Sequence, residues 1–248
     1  ENIDKITKED IKNAYETIVS TSKKVLSLVG DIDFETAKQV FDENLGDIEN
    51  SNPKGKNVST PTLDEAKTVE IIKNDVNQSQ IIQGWIFPTF DSEDYPAIIL
   101  LNVILGSAGL SSRLFLELRD KKGLAYTVRS SYETYEKCAV FSIYIATEPK
   151  NIQISLDGFK EEIDKLKAIP VGEDELENAK NNVIGKQQFV TETNAQQANL
   201  LGYYGIMELG FDFQQKIIER IKNLKIEDIQ RVANKYFTEN SVVSILKP

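Results

Sequence analysis

The sequence contains no histidine. Catalytic zinc sites depend on imidazole ligands, and with Cys138 as the only thiol there is no thiolate set to replace them. The same absence excludes nucleophile systems built on a Ser–His or Cys–His pair. A single cysteine also rules out an intrachain disulfide, which is compatible with a reducing compartment without requiring one. Long apolar runs are missing too. The densest, residues 97–105, is interrupted only by Asn102 and falls far short of a membrane span, so it reads as a buried helix. Basic charge is scarce: 29 Lys and Arg face 39 Asp and Glu, giving a net charge of −10 and a pI of about 4.8. That balance argues against nucleic-acid binding, although it does not by itself name a basic substrate. No secretory leader is visible. The expectations are no metal or other cofactor held by this chain, no nucleic-acid or membrane partner, and a cytoplasmic location. The chain does not begin with Met. It reads as a piece of a longer protein, whose start could carry a targeting segment.

What is present is ordinary for a globular protein: 248 residues, 40% hydrophobic and 27% charged, enough for one large core or two smaller ones. Thr7, with Asp10 three residues on, predicts a capped helix reaching residue 20. Residues 24–29 read as a strand and 34–45 as a helix. Residues 49–61 are rich in Asn, Ser, Lys, Gly and Pro and read as a linker. Strands are predicted over 68–73, 80–87, 124–135 and 139–147; in the last, Ala139, Phe141, Ile143 and Ile145 share one face. A helix over 95–105 lies between them. The remainder reads as helices over 152–168, 173–191, 195–209, 213–223 and 226–237, closed by a strand over 241–246. Strands followed by a run of helices indicate an α+β fold, an antiparallel sheet packed against helices.

Residues 6–29 resemble residues 224–247 without a gap, at an offset of 218. Glu9-Asp10-Ile11 falls on Glu227-Asp228-Ile229, and Val25 and Leu28 fall on Val243 and Leu246. Each copy reads as an amphipathic helix running into a strand, the mark of a duplicated domain of about two hundred residues. The boundaries that follow are 1–48 as the tail of a first domain, 49–67 as a linker, and 68–248 as a complete second domain.

Residues 106–135 carry the most chemistry. Between Ser112 and Lys121, Leu114, Phe115, Leu116 and Leu118 cover one side of a helix, and Arg119 falls inside their arc, one turn after Phe115. Tyr126, seven residues later, shares a strand face with Leu124 and Val128. An arginine on a core-facing stripe needs a partner, because an unpaired buried charge is very costly. The pattern leaves two readings open: a salt-bridged arginine beside a core tyrosine, or a pair that holds an anionic or carbonyl oxygen. Weaker signals occur elsewhere. Gly106-Ser-Ala-Gly109 lacks the Gly-Lys-Ser/Thr ending of a phosphate loop and reads as a turn between helices. Glu173, Asp174, Glu175 and Glu177 suit the first turn of a helix. Gly202 and Gly205 suit close helix packing.

The run SSRLFLELRDKKGLAYTV, residues 111–128, resembles the second-domain signature of pitrilysin/insulinase-type zinc metallopeptidases, the inverzincins, a family that includes mitochondrial processing peptidase. The family pattern is a short helix ending in Leu-Arg, a Gly turn, and a Tyr seven residues after the Arg, here Arg119, Gly123 and Tyr126. The His-x-x-Glu-His zinc motif of the family is absent. The resemblance implies that zinc sits in an absent N-terminal half or a partner subunit, and that this chain is inactive alone. It implies that Arg119 and Tyr126 hold a substrate carbonyl and stabilise the oxyanion, and that Phe115 lines a side-chain pocket. The implied partners are an extended peptide and a zinc-bearing domain or subunit, in a homo- or heterodimer. A non-catalytic structural subunit of the same fold is the alternative.

Overall fold

The structure is a computed structural model that describes residues 3–46 and 59–248. The predicted linker lies mostly on residues 47–58, outside the described residues. Packing divides the chain into two compact units. One comprises residues 1–58 with 188–213, and the other 59–187 with 214–248. Residues 188–213 thus group with the N-terminal segment, whereas the sequence reading placed them in the 68–248 domain.

The larger unit is the expected α+β arrangement. Its strands are β1 (Lys67–Ile72), β2 (Ser79–Phe87), β3 (Ala125–Thr134), β4 (Ala139–Thr147) and β5 (Val242–Lys247), in the order β1-β5-β2-β4-β3. All neighbours are antiparallel except β1 and β5. The exception follows from topology: the last strand inserts between β1 and β2, which run in opposite directions, so it must lie parallel to one of them. Apolar alternation decides which sheet face is covered. Ala139, Phe141, Ile143 and Ile145 of β4 are fully buried, beside Ile81, Trp85 and Phe87 of β2. On the opposite face Ile82 and Val140 are exposed.

Against the buried face pack α3 (Tyr95–Asn102), α4 (Ile152–Ala168) and α8 (Ile226–Tyr236). An aromatic cluster fills the layer between, with Phe87 ring centroids 4.9 Å from Phe141 and 5.3 Å from Phe237. The Trp85 indole N–H donates to the Thr238 carbonyl at 3.1 Å. Asp94, just before α3, ties that helix to α8. It accepts from Arg231, Lys235 and Tyr236 at 2.5, 2.7 and 2.6 Å. Burial raises its carboxyl, and the three hydrogen bonds outweigh this and bring it down to about 2. Helix α5 (Glu173–Phe189) carries Glu173, Asp174 and Glu175 in its first turn, as expected.

The smaller unit holds α1 (Lys8–Thr21), α2 (Phe34–Leu45) and α6 (Asn194–Ile206). Helix α1 starts with a full capping box, Thr7 with Asp10. Helix α8 starts at the position 218 residues later, also with a capping acid, Asp228. Residues 24–29, expected as a strand, form none. A strand needs a ladder partner, and no described strand pairs with this segment. Its Val25 instead lies against Gly205, where an added Cβ would come within 2.9 Å, and Ser27 lies 3.5 Å from the same position on Gly202. These two glycines therefore serve close packing.

Candidate functional site

The site grows out of one helical segment and one strand edge. Leu114 and Leu118 are fully buried and anchor the segment from its inner side. Leu118 sits against Gly158 of α4, whose missing Cβ would lie 3.1 Å from the leucine Cγ. Arg113 clamps the segment to α5 through two charge-assisted hydrogen bonds to Glu175, at 2.8 and 2.7 Å. From Phe115 to Lys121 the backbone is a π-helix, a form that occurs mostly as single wide turns and often at functional sites. Gly123 ends it at φ 62°, a conformation open to glycine, with its N–H on the Arg119 carbonyl at 3.1 Å.

The chain then enters β3 through a bulge. Ala125 pairs with Thr147 and Thr127 with its neighbour Ala146, so Tyr126 is the extra residue between them. A bulge redirects the side chain it contains. Tyr126 is accordingly 81% exposed, while Leu124 and Val128 are buried. This corrects the expectation that Tyr126 shares their face.

The wide helical turn and the bulge bring the three expected residues together. The Arg119 guanidinium carbon lies over two rings, 4.5 Å from the Phe115 centroid and 4.6 Å from that of Tyr126. The expected partner of Arg119 is thus aromatic rather than anionic. No hydrogen bond or ion pair engages its N–H groups among the described residues, and the Tyr126 hydroxyl is equally unengaged. All three side chains line one cavity of about 680 Å³, bounded by the 106–110 turn and by β3 as far as Glu133.

Two further residues of this cavity escaped the sequence reading. Arg129 stands over the Tyr144 ring at 5.5 Å, and Glu133 accepts from the Tyr135 hydroxyl at 3.2 Å. Neither has an ion-pair partner among the described residues. Their place in the predicted strand was the signal the sequence offered. Gly106 belongs to packing and not to phosphate binding: a Cβ there would fall 2.3 Å from the Ser130 backbone nitrogen. Glu175 is spent on Arg113, and Glu177 on Lys180 at 2.8 Å.

The side chains present do not fit zinc. No group of three His, Cys, Asp or Glu residues suited to a metal ion occurs among the described residues, and the histidine that such a site needs is missing from the sequence.

The description "Peptidase M16 inactive domain" matches residues 5–183. The chain is 29% identical over 262 residues to "Zinc protease PqqE" of Helicobacter pylori, covering all of this chain and 56% of that protein. It is 25% identical over 236 residues to "Non-peptidase homolog YmxG" of the same organism, covering 92% and 52%. The crystal structure of a peptidase M16 inactive domain from Pseudomonas fluorescens superposes with a TM-score of 0.81 at 22% identity, covering 98% of this chain and 58% of that one. The chain spans about half the length of the curated relatives it matches. With a match that runs over more than half its length, and with the α+β fold of those structures, the chain belongs to the M16 family of pitrilysin/insulinase-type zinc metallopeptidases and carries that family's inactive domain.

Proposed function

We propose that this chain is the substrate-binding half of a zinc-dependent endopeptidase, and that Arg119 and Tyr126 hold a backbone carbonyl of an extended peptide. The metal belongs to another half or subunit, because the donor set here cannot hold it. One observation carries the reading: a guanidinium stacked near two aromatic rings, with no hydrogen bond or ion pair on its N–H donors among the described residues, at the wall of a cavity. Stacking fixes the plane of the charge without consuming its donors. A carbonyl oxygen arriving at that edge meets a fixed positive charge, and the exposed Tyr126 hydroxyl can add a second donor. Both interactions strengthen as negative charge builds on the oxygen, which is how preorganised donors favour a transition state. Packing of the zinc-bearing half over the cavity would exclude water and strengthen both.

The second reading is a non-catalytic partner subunit, supported by the name "Non-peptidase homolog" of one relative. The two separate in kinetics. The chain is assembled with its zinc-bearing half and turnover of a peptide is measured. Loss of a hydrogen bond to a charged donor costs roughly 1.5–3 kcal/mol, so Arg119→Ala should raise KM about tenfold to a hundredfold. Arg119→Lys, which keeps charge but loses the planar fork, should recover only part of it. Unchanged kinetics in variants that assemble normally would support the partner-subunit reading.

A further inference from the structure

Helix α5 turns Glu175, Asn178, Ala179 and Asn182 to one face, three and four residues apart. Between that face and the 103–116 segment lies a second cavity, of about 310 Å³. Small-molecule sites run from roughly 300 to 1,000 Å³, so this one suits a compact ligand and not a chain. Val103, Ile104 and Ala179 are buried and give it apolar walls. Its polar wall has bonding capacity to spare. Asn182 has a buried Oδ1 that accepts no hydrogen bond, and neither its amide nor that of Asn178 makes a side-chain hydrogen bond among the described residues. An orphaned buried acceptor is costly. A ligand N–H would relieve that cost, since a half-turn of the amide exchanges its oxygen and nitrogen. The wall carries no uncompensated charge. Both Glu175 carboxylate oxygens accept from Arg113, at 2.8 and 2.7 Å, and no other charged residue lines the cavity among the described residues. A charged ligand would give up water there without meeting a counter-charge. The 103–119 segment also walls the larger cavity. It gives Leu116 to one and the adjacent Phe115, which stacks on Arg119, to the other.

We propose that the cavity between α5 and the 103–116 segment binds a small neutral amide, its N–H on Asn182 and its apolar body against Val103, Ile104 and Leu116, and that occupancy shifts Phe115 against Arg119. The apolar walls supply affinity, and the Asn182 amide selects a neutral donor over a charged one. A ligand seated on Leu116 moves the helical backbone that also carries Phe115, which is how the two cavities communicate.

The test titrates benzamide into the intact ¹⁵N-labelled chain and follows backbone amides and the Arg119 Nε–H by NMR. Perturbations should centre on residues 103–116 and 175–182 and saturate with a dissociation constant of about 1 mM or tighter. Acetophenone has the same shape and carbonyl but no N–H, and should bind about fivefold more weakly. Benzoate and benzylammonium should bind at least about tenfold more weakly. Asn182→Leu should abolish the preference for benzamide over acetophenone. The Asn182 amide spends no hydrogen bond on the fold among the described residues, so the variant should keep a parent-like spectrum, and the ligand comparison in the parent stands without it. Perturbations scattered over the surface, acetophenone or the charged analogues binding as tightly as benzamide, or a preference that survives in Asn182→Leu overturns the site. An Arg119 Nε–H signal that stays still at saturation overturns the link to the larger cavity. No arm involves a peptide, so failure here leaves the carbonyl-receptor reading standing, and failure of that reading leaves this site in place.

Discussion

Adding one methyl group at Gly106 should destabilise the protein about as much as the milder truncations of its core. The Cβ of alanine there would lie 2.3 Å from the Ser130 nitrogen, 2.6 Å from the Ser130 hydroxyl and 2.9 Å from Leu114 Cδ1. Ordinary contact begins near 3.4 Å, so β3 and the 103–107 turn must part by about an ångström in a layer packed to crystal density. Overpacking of this kind costs roughly 1–3 kcal/mol. Displacing Ser130 also breaks its hydroxyl contacts to Asn102, at 3.1 and 2.7 Å, for about 1 kcal/mol more. Alanine returns about 1 kcal/mol through helix propensity, leaving a net loss of about 1–3 kcal/mol. Trp85, the sole tryptophan and 4% exposed, reports unfolding by fluorescence. At a slope of about 2 kcal/mol per molar urea, the midpoint should fall by about 0.5–1.5 M. Gly185→Ala is the control: it sits in α5 with nothing within 4 Å of the added Cβ, and should hold or raise the midpoint. A Gly106→Ala midpoint within about 0.25 M of the parent would refute the reasoning.

Two other outcomes follow from the same packing. Asp94 has a folded-state carboxyl at about 2 against 3.8 when unpaired, so its contribution is complete above pH 3.8 and is lost as pH falls towards 2. The shift corresponds to roughly 2 kcal/mol. The difference in urea midpoint between the parent and Asp94→Asn should therefore shrink as pH drops across that window, and a difference independent of pH would contradict it. Leu118→Ala removes a fully buried side chain that spans the Arg119 helix and α4, and should lower stability by about 2–5 kcal/mol. A loss under about 1 kcal/mol would mean that the cavity collapses without strain.

The elements that obeyed a simple period were legible in the sequence. The alternation in β4 named its buried face, and Thr7 with Asp10 gave the start of α1 to the residue. The segment 24–29 failed for a reason outside its own sequence. Its β-like composition needs a partner strand, and none of the described strands supplies one. The candidate site was legible as residues that cluster and not as a geometry. Periods of 3.6 and 2 placed Arg119 and Tyr126 on core-facing stripes. The π-turn and the bulge each add one residue to the local repeat, which turns Tyr126 outward and sets Arg119 between two rings. Arg129 and Glu133 carried no signal of their own in the sequence beyond their place in the predicted strand 124–135.

The most direct measurement is the turnover of Tyr126→Phe, in the chain assembled with the zinc-bearing half proposed for it. The substitution keeps the ring that stacks on Arg119 and removes only the hydroxyl. Removing one such donor costs on the order of 10²–10³ in kcat where the donor acts on the oxyanion. The account predicts a fall of that size in kcat with KM little changed, because the donor is used chiefly in the transition state. A kcat within about twofold of the parent, in a preparation that folds and assembles normally, would contradict it, since twofold is far below what a lost oxyanion donor costs.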